Sequence, residues 1–170
     1  MKEEDIIKIL ESNYQIFKEE FNSINNSLLH AWPETQIYTG EWLTFGLYFK
    51  SKQILPNVDL CPKSVNALNI IPGLVNAGFS ILKSNSIIKP HTGYTNKVFR
   101  YHLGIDIPSC NITECGLSVI KYLDIDAGKF TVDYYNWNNG RAFKFDDTLT
   151  HSAFNYTNKD RVILLLDVIK

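Results

Sequence analysis

From about residue 36 onward the chain is a succession of short runs crowded with aromatic and β-branched residues: "QIYTG", "WLTFGLYF", "AGFSILK", "VFRYHLGIDI", "LSVIKYLDI", "KFTVDYYNW", "AFKFD" and "RVILLLDVI". Side chains of this kind are stiff at χ1 and pack well on a pleated surface. Turn-forming sets such as "DIDAG" and "NWNNG" separate several of the runs. Many short strands in succession argue for an antiparallel sandwich or jelly roll. Two segments break the texture. "CPKSVNALNIIPGLVNAG" reads as a short helix and a loop. The opening "KEEDIIKILESNYQIFKEEFNSINNSLL" places apolar residues at 6, 7, 10, 14, 17 and 21, close to a helical stripe. Its "EED" suits the positive end of a helix dipole, and the stripe is expected to cover a sheet. "HAWPET" then ends the pattern, because proline disfavours helix at the residue before it. The expected organisation is one domain over 1–170, with helical support at 1–35 and a β core at 36–170.

A length of 170 residues with 45% hydrophobic content suffices for one proper core. Lysine plus arginine, 17, nearly balances aspartate plus glutamate, 18, and no basic run offers a footprint for nucleic acid. "MKEEDIIKILES" lacks the apolar core of a signal peptide, and no apolar stretch reaches the length of a membrane span. The expectation is a soluble, cytoplasmic protein without an integral membrane segment. Cys61, Cys110 and Cys115 are an odd number, read as reduced thiols without function. Nothing here bears on oligomeric state.

Polar residues inside the strand pattern carry the chemistry. In "KVFRYHLGI", alternation puts Phe99, Tyr101, Leu103 and Ile105 on one face and Val98, Arg100, His102 and Gly104 on the other. If the second face meets solvent, Arg100 and His102 need no explanation. If it faces an interior, the guanidinium needs an anion, since burying it alone costs several kcal/mol. No acidic residue lies on that face of the same strand, so a bound carboxylate would serve. "RVILLLDVI" is almost continuously apolar, as a central strand would be, yet Arg161 opens it. Arg161 either grips a carboxylate with its planar fork of donors or pairs locally with Asp160 or Asp146. His91 and His151 sit at strand ends, each with an arginine nine or ten residues downstream. Non-haem iron oxygenases hold Fe(II) by two histidines and a carboxylate, the first half reading H-x-D or H-x-E. Here "HTG" puts Gly93 where the acid belongs, and the motif fails.

The stretch from about Tyr38 to Lys170 nevertheless resembles the aspartyl/asparaginyl β-hydroxylase family of Fe(II)- and 2-oxoglutarate-dependent oxygenases. The resemblance is carried in order by "EWLTFGLYF", "CPKSVNALNIIPG", "HTGYTN", "RYHLGIDIP", "WNNGRAFKFDD", and the spacing of His151, Arg161 and Asp167. The family's animal prototype likewise binds iron through two histidines without the acid. The resemblance implies a mainly β, cupin-like double-stranded β-helix with supporting N-terminal helices. It makes His91 and His151 the metal ligands, and it assigns the far carboxylate of 2-oxoglutarate to Ser80 and Arg161. His102 would lie beside the cosubstrate, and Trp42 and Arg100 would face substrate. Fe(II), 2-oxoglutarate and O2 are the implied cofactors, and Asp146 or Asp147 would orient His151. An aspartyl or asparaginyl residue, another amino acid or peptide, a small molecule, or a lipid acyl chain is the implied substrate. An anion held by Arg100 favours the amino-acid or peptide case. Two departures stand out. Val98 replaces a second substrate-binding arginine, and the segment at 110–137 is longer than in the family prototype, long enough for a hairpin over the pocket mouth. The competing expectations are a non-catalytic jelly-roll binding protein and a zinc hydrolase or isomerase on a cupin-like fold.

Overall fold

The computed structural model describes residues 1–170, and strands dominate it. In chain order the helices are α1 (Glu3–Ser12), α2 (Tyr14–Ser23), α3 (Asn57–Leu60) and α4 (Pro62–Asn69). The strands are β1 (His30–Ala31), β2 (Tyr38–Thr39), β3 (Trp42–Phe49), β4 (Lys52–Gln53), β5 (Leu74–Leu82) and β6 (Ser86–His91). They continue with β7 (Val98–Asp106), β8 (Cys115–Asp124), β9 (Lys129–Tyr135), β10 (Ala142–Phe145), β11 (His151–Asn155) and β12 (Arg161–Ile169). One sheet runs β1-β3-β5-β12-β7-β10, with β4 paired to β3, and the other runs β2-β6-β11-β8-β9. Every paired strand is antiparallel. This is the mainly β jelly roll with N-terminal helices that the sequence predicts.

Alternation along the central strands builds two cores. On β7, Tyr101, Leu103 and Ile105 point to the helical side, and on β12 Val162, Leu164, Leu166 and Val168 do the same. There they meet Ile6, Leu10 and Phe17 of the N-terminal helices and Val65 and Leu68 of α4. The opposite faces enclose a second core between the sheets, with Trp42, Leu82, Ile88, Leu117, Val119, Trp137, Phe145, Ile163 and Leu165. The unbroken apolar run of β12 is thus a strand covered on both sides.

The single stripe of the opening segment is two helices, divided at Asn13, whose side chain donates to the Ile9 carbonyl at 2.8 Å. Asparagine competes for backbone partners in this way and favours helix ends. α2 then organises α4: the Glu20 carboxylate accepts the backbone N–H groups of Lys63 and Ser64 at 2.9 and 2.7 Å, at a helix that starts on Pro62. No helix is long and apolar enough to cross a membrane. All three cysteines are free thiols, Cys61 and Cys115 buried and Cys110 exposed.

Candidate functional site

His91 closes β6 and His151 opens β11, and the two residues are direct partners across the antiparallel ladder. Their ring centroids lie 4.2 Å apart. In each ring Nδ1 stands 2.8 Å from a carbonyl two residues earlier, that of Lys89 or Leu149. A carbonyl only accepts, so Nδ1 carries the proton and Nε2 is the atom left for a ligand. Burial is the main cause that pushes the His151 pKa down to about 4, which keeps this imidazole neutral at pH 7. A ring tied back through Nδ1 and neutral at Nε2 is the form that binds a metal. No third His, Cys, Asp or Glu completes a ligand cluster.

Gly93 explains why. A Cβ built there would lie 2.2 Å from Oδ2 of Asp147, and the Gly93 N–H donates to the Asp147 carbonyl at 2.6 Å. The space an acid at position 93 would need is filled by a carboxylate from the segment before β11. Asp147 is fully buried, and neither of its carboxylate oxygens has a hydrogen bond. Burial raises its pKa, Arg100 opposes that, and Asp167 adds to it.

At the closed end of the same inter-sheet space stands Arg161, 1% exposed, its guanidinium 4.7 Å from the Trp137 ring centroid. Its Nε and Nη1 have no partner, and burial brings its pKa down to about 10. The local pairing weighed for it is absent, because Asp160 binds Lys83 at 2.6 Å and Asp146 binds Lys170 at 2.8 Å. Beside it, Trp137 Nε1 donates to Nδ1 of His102 at 3.3 Å. Burial holds the His102 pKa well below its ordinary value, so the neutral ring carries its one proton on Nε2, which is buried without an acceptor. Ser80 accepts Trp42 Nε1 at 2.9 Å. Three unpartnered donor atoms facing two imidazoles suit a small anion bound next to a metal ion. The donor set therefore fits Fe(II) and 2-oxoglutarate.

The anion that Arg100 requires comes from the protein itself. Asn76, Asp167 and Arg100 lie side by side on β5, β12 and β7. Arg100 Nε donates to Asp167 Oδ1 at 2.8 Å and Nη2 to Oδ2 at 3.2 Å, while Nη2 also lies 3.1 Å from Asp147 Oδ2. A bound carboxylate is not needed to neutralise it, which corrects the sequence-based expectation. The neighbour that matters is set by strand register, which single-strand alternation does not reveal.

A family model described as aspartyl/asparaginyl β-hydroxylase matches residues 11–170. The chain belongs to the aspartyl/asparaginyl β-hydroxylase family. It is 36% identical over 132 residues to the ornithine lipid ester-linked acyl 2-hydroxylase of Rhizobium tropici, covering 76% of this chain and 42% of that protein. It is 27% identical to human aspartate β-hydroxylase domain-containing protein 2, covering 95% of this chain and 44% of that one. The chain thus spans less than half the length of either relative. Among solved structures, a 2OG-Fe(II) oxygenase family oxidoreductase from Burkholderia pseudomallei aligns with a TM-score of 0.63 at 9% identity, covering 89% of this chain and 77% of the other. A Pseudomonas putida prolyl-4-hydroxylase aligns at 0.59 and 11% identity, covering 94% and 88%. At such identities these two establish the fold alone.

In this β-hydroxylase-family chain seven of the sequence-predicted site residues line one chamber: His91, His151, Arg100, Ser80, His102, Arg161 and Trp42. Asp146 and Asp147 do not line it, and the expectation that one of them orients His151 is corrected, because Nδ1 of that ring goes to the Leu149 carbonyl. The chamber opens on an outer cleft of about 720 Å³, and Trp42, Ser80, His91, Arg100 and Leu165 border both. Trp32 forms the outer wall by stacking on Trp42, centroids 4.1 Å apart and planes 6° from parallel. Sequence reasoning assigned no role to Trp137, Trp32, Asn76 or Tyr94. Trp137 stood in the quoted "WNNGRAFKFDD" block, but nothing in its spacing ties it to Arg161 or His102. The segment at 110–137 does form a hairpin, β8–β9, yet it does not cover the mouth: of its residues only Leu117 and Trp137 line the chamber, and none borders the cleft.

Proposed function

We propose that the chain is an Fe(II)- and 2-oxoglutarate-dependent dioxygenase that hydroxylates an unactivated carbon. The observation that carries this is one chamber holding two converging imidazoles, each tied back through Nδ1, opposite the unpartnered donors of Arg161 and His102. His91 and His151 would hold Fe(II) through Nε2. Arg161 and Ser80 would grip the far carboxylate of 2-oxoglutarate, and His102 would donate from Nε2 to the cosubstrate. Bound iron, with 2-oxoglutarate and O2, would supply the oxidising power, the cosubstrate being spent as succinate and carbon dioxide. The protein's own part is orientation and the exclusion of water. Apolar walls at Leu117, Phe145, Ile163 and Leu165 keep the chamber dry and strengthen every polar contact inside it. Asp147, packed against Gly93, would fix the histidine-bearing segments relative to each other. Trp42 and Arg100, on the border of chamber and cleft, would place the substrate carbon.

The substrate would lie in the cleft as an amino acid or peptide. An acyl chain is the second reading, favoured by the likeness to the Rhizobium tropici ornithine lipid ester-linked acyl 2-hydroxylase. Anaerobic addition of Fe(II) and then 2-oxoglutarate tests the proposal. A weak visible charge-transfer band is expected, with succinate released once air is admitted, and neither in a His91→Ala/His151→Ala double variant. Wild-type protein without the band would sink it.

A further inference from the structure

The five-stranded sheet ends on a strand with nothing beside it. β9 pairs only with β8, and none of its backbone groups makes a hydrogen bond outside that ladder. Every second residue of an antiparallel strand turns its N–H and C=O away from its partner, so β9 presents a row of free donors and acceptors. The other sheet ends are blunted by shortness. β1 and β2 have two residues each and β10 four, with the Ala142 N–H already taken by Glu11, whereas β9 has seven. No residue of β9 is buried. Phe130, Val132 and Tyr134 share its outer face, and the two aromatic rings are exposed. The inner face carries Tyr135, stacked on Phe143, and Asp133, paired with Lys121.

The order of side chains along this edge decides what fits it. Turned end for end about a two-fold axis at Val132, the strand meets itself over its whole length, Lys129–Tyr135. On the outer face Phe130 then lies opposite Tyr134 of the second copy, and Val132 opposite its own counterpart. Aromatic and β-branched residues in directly opposed positions are the pairs that stabilise a sheet. On the inner face Thr131 lies opposite Asp133 of the second copy, a hydroxyl donor against a carboxylate. Lys129 lies opposite Tyr135 of the second copy, with that copy's Asp133 on the diagonal. No like charges meet, and one lysine with one aspartate leaves the strand neutral. An unrelated strand can use the free backbone groups, but a second copy always brings this row of side chains in the matching order.

We propose that β9 is a homodimer interface, two copies joining edge to edge by antiparallel β9–β9 pairing about a two-fold axis at Val132. The two five-stranded sheets become one continuous sheet. Each copy uses the same edge, so the assembly closes at two and the edge is consumed instead of recruiting further chains. No residue of β9 lines the chamber or borders the cleft, so the pairing involves neither entrance. It is independent of the oxygenase reading.

Sedimentation equilibrium of the full chain tests this from about 1 μM to about 1 mM, since a single-strand contact is smaller than a standard interface and associates weakly. Wild type is expected to pass from the mass of one chain to that of two, with no larger species. Two variants probe the register. Phe130→Lys/Tyr134→Lys and Phe130→Glu/Tyr134→Glu each set like charges opposite one another across the axis, and each alone is expected to stay monomeric. Mixed in equal amounts they set lysine against glutamate, and a dimer of the two is expected to return. Far-ultraviolet circular dichroism of the separate variants checks their folding. Should they not fold, Val132→Asp, which brings two carboxylates face to face at the axis, is expected to weaken association by about tenfold or more. A monomeric wild type overturns the proposal and leaves the edge to a strand of another sequence. A dimer that persists in both charged variants, or is undiminished in Val132→Asp, overturns it as well, because the contact then lies on another surface. Charged variants that fold but do not pair when mixed overturn the two-fold register on which it rests.

Discussion

Arg161 is a charge that folding buries without an acid to meet it, and a buried, unpaired ion costs several kcal/mol. Only its stacking on Trp137 offsets this within the chain. On the proposed reading, the carboxylate of 2-oxoglutarate would supply the missing partner. Arg161→Met should therefore leave the thermal midpoint of the metal-free protein unchanged or higher, while it weakens 2-oxoglutarate binding. Loss of a charge-assisted hydrogen bond worth about 1.5–3 kcal/mol corresponds to roughly a ten- to hundred-fold higher requirement, measurable by succinate release against 2-oxoglutarate concentration. An unchanged requirement would place the carboxylate elsewhere. Gly93 makes the complementary case. Gly93→Ala forces a methyl group onto the Asp147 carboxylate and is expected to cost about 1–3 kcal/mol in denaturant unfolding. In an Asp147→Ala background the same change should cost much less, and simple additivity would show that the two do not share that space. At this scale the sequence was legible for faces and much less so for neighbours. Alternation put Arg100 and His102 together, but Asp167 reaches Arg100 only through the β7–β12 register. Asp147 reaches Gly93 through a loop that no periodicity describes.

Elements show the same division. The strand runs were readable because aromatic and β-branched residues alternate over them, and β12 was readable as central because both its faces are apolar. The break at Asn13 was hidden, since the apolar stripe continues across it into α2. The β8–β9 hairpin was visible as extra length, but its direction was not. Its first half joins β11 and buries Leu117 and Val119, whereas Tyr122, Leu123, Ile125 and Phe130 toward its tip are exposed. Replacing residues 121–131 by a two-residue Asn-Gly turn, which keeps the Ile120–Val132 pair at its base, should accordingly leave Fe(II) and 2-oxoglutarate affinity within about twofold of wild type. A tenfold loss would mean that the tip supports the chamber from a distance.

For the whole molecule, the two cores divide the labour. The helical side of the first sheet is packed mainly by apolar side chains, whereas the buried histidines, arginines and aspartates lie on the inter-sheet side. Its histidines tie stability to pH. Folding depresses the pKa of His151 from 6.5 to about 4 and that of His102 in the same direction, so between these values the unfolded chain binds more protons. Stability therefore falls as pH drops through that window, by about 2 kcal/mol at pH 5 relative to pH 7 for His151 alone. Asp147, whose pKa is raised, works in the opposite direction and offsets part of it. Denaturant titrations of the metal-free protein at the two pH values check this. A flat profile in wild type, or an undiminished slope in His151→Gln, would contradict the assignment.

Arg161 and Trp137 line the chamber and not the cleft, and the five residues that border both mark the passage between the two. On the proposed reading, a chamber reached by that passage is filled from the back. The small occupant enters before the large one, and the large one leaves before the small one can be replaced. Crowding the doorway with substrate would then slow the cycle, by trapping spent cosubstrate behind it.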